Sequence, residues 1–204
     1  MNGDSRLSTI SVVGMGGLGR TILVKKVYDS QQVKKHFQTF AWITVSQSFK
    51  PEDLLGSMIN QFFEEKKDPS PQGVDVMTQV GLIKVLRRYL HNKRYVLVLD
   101  DVWQAHVWNF IRNALPPSGN GSWVMITTRK GDVASSSRIG PSDHIYNLQP
   151  LHPKEAWSFF CRKAFQSNEE NSCPHELEKL SRSFVNKCRG LPLAIVTLSS
   201  LLSI

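Results

Sequence analysis

The chain has 204 residues, 41% hydrophobic and 21% charged, with a formal net charge of +8 at pH 7. That length can bury a real core in one large domain or two small ones, and the composition is that of an ordinary soluble globular protein. No apolar run approaches a membrane span, residues 1–9 lack a signal-peptide core, and three cysteines without C-x-x-C spacing exclude a zinc site or disulfide frame.

In chain order, an apolar run at residues 10–13 reads as a strand and leads through a glycine-rich loop into a helix carrying Leu23, Val24 and Val27. Residues 41–45 are β-rich and close on Ser46-Gln47-Ser48. Pro51 then opens a helix, because proline is tolerated in a first turn, with Leu54, Leu55, Met58, Ile59, Phe62 and Phe63 at helical spacing. Residues 66–73, rich in charge, Pro and Ser, form a surface loop before an amphipathic helix holding Leu82, Ile83, Leu86, Tyr89 and Leu90. Residues 95–99 are continuously apolar, as a strand covered on both faces must be. A turn-rich loop at 116–121 precedes a strand at 123–128, and 144–148 reads as a fifth strand. This alternation predicts an α/β fold, a parallel sheet with helices on both faces. After Pro150 the pattern becomes helical, at 153–165 and at 175–189, the second stopped by Gly190. The apolar segment 191–204 ends mid-pattern, which predicts that the chain is cut from something longer.

Gly14-Met15-Gly16-Gly17-Leu18-Gly19-Arg20-Thr21 lies between a strand and a helix, the setting in which a G-x-x-x-x-G-K-[ST] phosphate loop counts as evidence. Glycines let backbone N–H groups approach a pyrophosphate closely, and the following helix aims its positive end at the same anion. Thr21 is placed to hold a magnesium ion. Arg20 stands where a lysine normally reaches the β- and γ-phosphates. The scattered basic residues, densest at Lys25-Lys26, Lys34-Lys35 and Lys66-Lys67, then read as a solvated face suited to an anionic nucleotide, not a nucleic-acid surface.

The strand at 95–99 delivers two carboxylates, Asp100 and Asp101, at its tip. Ligands of parallel sheets sit at that edge. Asp100 would hold magnesium, directly or through water, and Asp101 would orient or deprotonate an attacking water. The strand at 123–128 repeats the design and presents Arg129, a candidate sensor of the γ-phosphate. In Gly190-Leu191-Pro192-Leu193-Ala194, spacing favours a helix stop followed by a new helix, although the ring of Pro192 could also rest against a purine. Trp42, Trp103 and Trp157 read as core or interface residues, the six histidines have no metal-ligand spacing, and no nucleophile with a base partner is identifiable.

Together these segments, with Phe40-Ala41-Trp42-Ile43-Thr44-Val45-Ser46-Gln47, Leu97-Val98-Leu99-Asp100-Asp101-Val102-Trp103, Thr127-Thr128-Arg129 and Leu148-Gln149-Pro150-Leu151, resemble the NB-ARC module of plant NLR disease-resistance proteins. Trp103 resembles the coiled-coil class of these receptors more than the TIR class. The resemblance implies a P-loop NTPase three-layer fold with a five-stranded sheet ordered 2-3-4-1-5 over residues 1–149. A truncated helical ARC subdomain would follow over 150–204. It also implies a cytoplasmic switch between ADP-bound and ATP-bound states with Mg2+, Pro192 contacting the adenine, and the loop residues 14–22 holding the nucleotide. Its partners would be a coiled coil, a second ARC subdomain and leucine-rich repeats, with self-association on activation. This chain departs from the family at Arg20, in place of Lys, and at Ile22, commonly Thr. The bulkier guanidinium predicts weakened binding and strongly reduced hydrolysis. Two rivals follow: a degenerate interaction scaffold that no longer binds nucleotide, and a small-molecule phosphotransferase, which would need a lid and an acceptor pocket.

Overall fold

The computed structural model describes residues 6–117, 120–166 and 173–202. It divides into two compact units, Met1–Val13 with Thr21–Asn147, and Gly14–Arg20 with Leu148–Ile204.

The first unit is built on β1 (Ser8–Val13), β2 (Thr39–Thr44), β3 (Tyr95–Asp100), β4 (Trp123–Thr128) and β5 (His144–Asn147). They form one parallel sheet in the order β2-β3-β4-β1-β5, the order the resemblance implies. β3 lies inside the sheet, between β2 and β4, and all six of its residues are buried. Its alternate residues Tyr95, Leu97 and Leu99 pack with Leu55, Met58 and Phe62 of α3 (Pro51–Lys66) and with Leu82, Leu86 and Leu90 of α4 (Gln79–Leu90). Val96 and Val98, which point to the opposite face, are equally inaccessible. Both faces are therefore covered, which accounts for the unbroken apolar run. Each fully buried Leu or Phe contributes about 1.5–3 kcal/mol.

α1 (Arg20–Tyr28) buries Val24 and Tyr28, leaving Leu23 and Val27 more than a third exposed. Tyr28 meets Phe40 and Trp42 of β2 edge-on at 5.7 and 5.4 Å, and Lys34 of α2 (Gln31–His36) lies 4.0 Å over the Phe40 ring. α5 (Ala105–Ala114) inserts the fully buried Trp108, and α6 (Gly131–Ser137) is tied to β1 by a 2.6 Å hydrogen bond between the Ser11 and Ser137 hydroxyls. The buried Asp143 carboxylate accepts from the Thr9, Ile139 and Gly140 amides at 2.7–2.8 Å and fixes the entry to β5. In the predicted loop 116–121, Asn120 and Gly121 turn with positive φ, whereas Ser118 and Gly119 lie outside the described residues.

The second unit contains α7 (Pro153–Ala164), α8 (His175–Lys187) and α9 (Pro192–Leu202). α7 opens on a reciprocal cap: Pro153 is in its first turn, and the Glu155 carboxylate accepts from the His152 amide at 2.9 Å. Phe160, Phe165, Val185 and Ile195 form the small core. α8 ends through Arg189 and Gly190 at φ 49° and 71°. A side chain at Gly190 would collide with the Leu151 carbonyl, whose amide donates to the Gly190 oxygen at 2.8 Å. Of the predicted segment 191–204, residues 203–204 lie outside the described residues.

Candidate functional site

In the first unit the parallel register aligns Thr44 with Asp100 and Val13 with Thr128, so the tips of β1, β2, β3 and β4 share one edge. Asp100 is 6% exposed and its Oδ1 is the hub of that edge. It accepts from the Thr127 hydroxyl at 2.6 Å and from the Thr21 hydroxyl at 2.9 Å. The next residue, Asp101, is forced to φ 56°. Aspartate is among the few side chains that tolerate this left-handed conformation. Its amide donates to the Thr127 hydroxyl at 2.8 Å, and its carboxylate faces Arg129 Nε at 3.6 Å. Arg129 also lies 5.0 Å over the ring of Trp103, which is half-buried, as are Trp42 and Trp157. With Arg129 half-exposed, the ion pair is of the weak surface kind. Thr21, Asp100, Asp101 and Arg129 are thus brought together within one unit.

The loop Gly14–Arg20 belongs to the second unit. Gly17 and Gly19 adopt φ of 81° and 88°, values that favour glycine. A Cβ on Gly17 would press on Leu193 at 3.1 Å and on Leu191 at 3.3 Å, whereas nothing lies within 4 Å of one on Gly19. The Gly17 carbonyl accepts from the Leu193 amide at 3.1 Å. The loop and the Gly190-Leu191-Pro192-Leu193 segment are therefore neighbours, with Pro192 half-buried at the start of α9. Leu18 is a packing residue, 7% exposed and seated over Gly14, so only its backbone is available to a ligand. Met15 and Ile22 are 67% and 72% exposed. Arg20 is buried, with 7% of its surface accessible.

The donor set suits a hard divalent cation. A threonine hydroxyl and a carboxylate 2.9 Å apart would offer a magnesium ion two oxygen ligands, with phosphates and waters supplying the rest. The sequence offers Thr127 only as part of the Thr127-Thr128-Arg129 motif, with no role of its own, and does not offer the Leu193–Gly17 contact. The first carries a signal, a hydroxyl ending an apolar strand beside the carboxylates; the second is a long-range contact with no local signature.

Residues 1–170 match the family model described as the NB-ARC domain. The chain is 41% identical over 195 residues to disease resistance protein RPM1 of Arabidopsis thaliana, covering 95% of this chain and 21% of that protein. It is 35% identical over 199 residues to putative disease resistance protein RGA1 of Solanum bulbocastanum, covering 97% and 19%. The chain thus spans about a fifth of the length of these curated relatives. Among solved structures, the ORC2 protein of Aeropyrum pernix, in ADPNP–ADP complexes, superposes with a TM-score of 0.61 at 17% identity, over 97% of this chain and 55% of that one. A signal-transduction ATPase with numerous domains from Pyrococcus horikoshii gives 0.53 at 19% identity, over 94% and 27%. These two share the P-loop fold with the chain. On the extent of the family match and of its disease-resistance relatives, the chain belongs to the NB-ARC domain family.

Proposed function

We propose that the chain is the ADP- or ATP-binding core, residues 1–149, and first helical subdomain, residues 150–204, of a plant defence receptor, working as a regulatory switch with magnesium. The observation that supports this most is Asp100, a buried carboxylate gathering the hydroxyls of Thr21 and Thr127 at the edge where β1, β3 and β4 end. In this reading the backbone of Gly14, Met15, Gly16, Gly17, Leu18, Gly19, Arg20, Thr21 and Ile22 cradles the phosphates. Thr21 and Asp100 hold the cation, and Pro192 rests on the adenine. Magnesium, when bound, neutralises charge on the phosphate oxygens. Arg129 distinguishes triphosphate from diphosphate by charge-assisted hydrogen bonds. Asp101, beside it, orients the attacking water or accepts its proton. Arg20 keeps the positive charge but is a poorer fit between two phosphates than an ammonium, so hydrolysis is slow. The nucleotide then works by stabilising one domain arrangement over another. The partners are the receptor's coiled coil, second ARC subdomain and leucine-rich repeats, with self-association on activation in the cytoplasm. Among the described residues no helix is long and apolar enough to cross a membrane.

Melting in the presence of ADP and magnesium tests the reading. Ligand at about a hundred times its Kd adds roughly 2.7 kcal/mol, which raises Tm by about 5–10 °C for a chain of this size. The burial of Arg20 favours a second reading, an NB-ARC-like scaffold that binds no nucleotide. An unchanged Tm would decide for it.

A further inference from the structure

At the strand edge the side chain of Thr127 bonds to both aspartates. It is fully buried, so its hydroxyl meets no solvent. It donates its proton to Asp100 Oδ1 at 2.6 Å and accepts the Asp101 amide at 2.8 Å. Its own carbonyl accepts from the Val102 amide at 2.8 Å, and the neighbouring Thr128 hydroxyl donates to the Val102 oxygen at 2.7 Å. β4 therefore clamps the β3 tip residue by residue. Two consequences follow from hydrogen-bond arithmetic. With Thr21 and Thr127 both donating to Oδ1, that oxygen is engaged and the carboxylate plane is fixed, which leaves Oδ2 as the oxygen to coordinate a cation or to accept from its water. The hydrogen bond from the Asp101 amide meanwhile holds a left-handed backbone that is intrinsically unfavourable for a residue with a Cβ.

We infer that Thr127 is a positioning residue, which sets the orientation of Asp100 and the backbone turn at Asp101 and so couples nucleotide affinity to magnesium. This rests on the magnesium–nucleotide reading above. Partners that orient a metal's ligands are worth about 10- to 100-fold in metal affinity. A serine at this position keeps both hydrogen bonds; a valine keeps the shape and loses both.

The experiment titrates a fluorescent ADP analogue into the chain with excess EDTA and at increasing magnesium, for the parent, T127V and T127S, with melting curves alongside. In T127V the magnesium midpoint should rise about 10- to 100-fold while affinity in EDTA stays at the parent value. T127S should restore the parent midpoint. A purely structural role would lower Tm and leave the midpoint where it was, and that result overturns the inference. If T127V does not fold, T127A, which also removes the hydroxyl, takes its place: a raised midpoint supports the inference, and an unshifted one overturns it. Failure of both the parent and an R20K chain to bind the analogue would overturn the nucleotide reading as well, an outcome distinct from binding with an unshifted midpoint.

Discussion

Arg20 opens α1 with 7% of its surface accessible, an unusual placement for a side chain with five donors. A guanidinium carries its charge over a rigid plane, whereas an ammonium is a compact point that fits between two phosphate groups. The exchange keeps the net charge of +8 and changes only how that charge is presented. Hydrogen bonds to charged groups contribute about 1.5–3 kcal/mol, so one better-placed donor is worth at least roughly tenfold. Arg20→Lys should therefore strengthen Mg–ATP binding about tenfold and raise the rate of phosphate release. Fluorescence titration and a phosphate-release assay read the two effects separately. Indistinguishable affinities for the two chains would mean that position 20 does not contact the phosphates.

At the scale of the element, β3 combines complete burial with an unmet polar group. Tyr95 is fully buried, its ring edge-on to Phe62 at 5.9 Å, and its hydroxyl has no hydrogen-bond partner among the described residues. A buried donor without a partner carries its desolvation cost, so Tyr95→Phe should be neutral or stabilise by about 1 kcal/mol. Urea denaturation measures it; a loss of more than about 1 kcal/mol would reveal an ordered water on the hydroxyl. β3 is also the element most legible in the sequence, because burial on both faces demands an uninterrupted apolar run. α3 and α4 are legible for the complementary reason, an apolar stripe at helical spacing. α2, α5 and α6 are not read as helices. α2 has six residues and buries none of them, and α6 is Gly-Asp-Val-Ala-Ser-Ser-Ser, a loop by composition that packing on β1 makes helical. α5 has a readable stripe in Val107, Trp108 and Ile111, but its start at Gln104 lacks a side-chain cap. The strand order itself came only through the family resemblance, since local periodicity says nothing of which strands are neighbours. The site divides in the same way. Asp100, Asp101 and Arg129 announce themselves as charges ending apolar runs, whereas a threonine in a strand is ordinary β-propensity and hides the role of Thr127.

Across the molecule, the ionisable groups displaced by burial all favour their neutral forms at high pH. Burial raises Tyr28, helped by Glu65 and Asp29, and raises Tyr95. Tyr89 is pushed up to about 12, first by burial and then by its hydrogen bond to Asp68. Burial also raises the Cys161 and Cys188 thiols. A group whose folded pKa lies above its unfolded one stabilises the fold fully below the unfolded value and ceases to do so as pH climbs to the folded value. For Tyr89 that window runs from 10.0 to about 12. Net charge makes the opposite contribution first. The chain approaches neutrality near pH 9.5, so self-repulsion falls just before the phenols begin to matter. Tm should accordingly hold or rise to about pH 9 and then fall by several degrees between about pH 10 and 12. The phenolate absorbance of Tyr28, Tyr89 and Tyr95 should appear together with the loss of tertiary structure, because these three ionise when they become exposed, whereas Tyr146 is already exposed in the folded chain. The Tyr95→Phe chain, with one such phenol fewer, should lose less stability over the same interval. A parent Tm that stays level from about pH 9 to 12 would show that these rings are open to solvent and that the packing of α1, α3 and α4 on the sheet is looser than the structure has it.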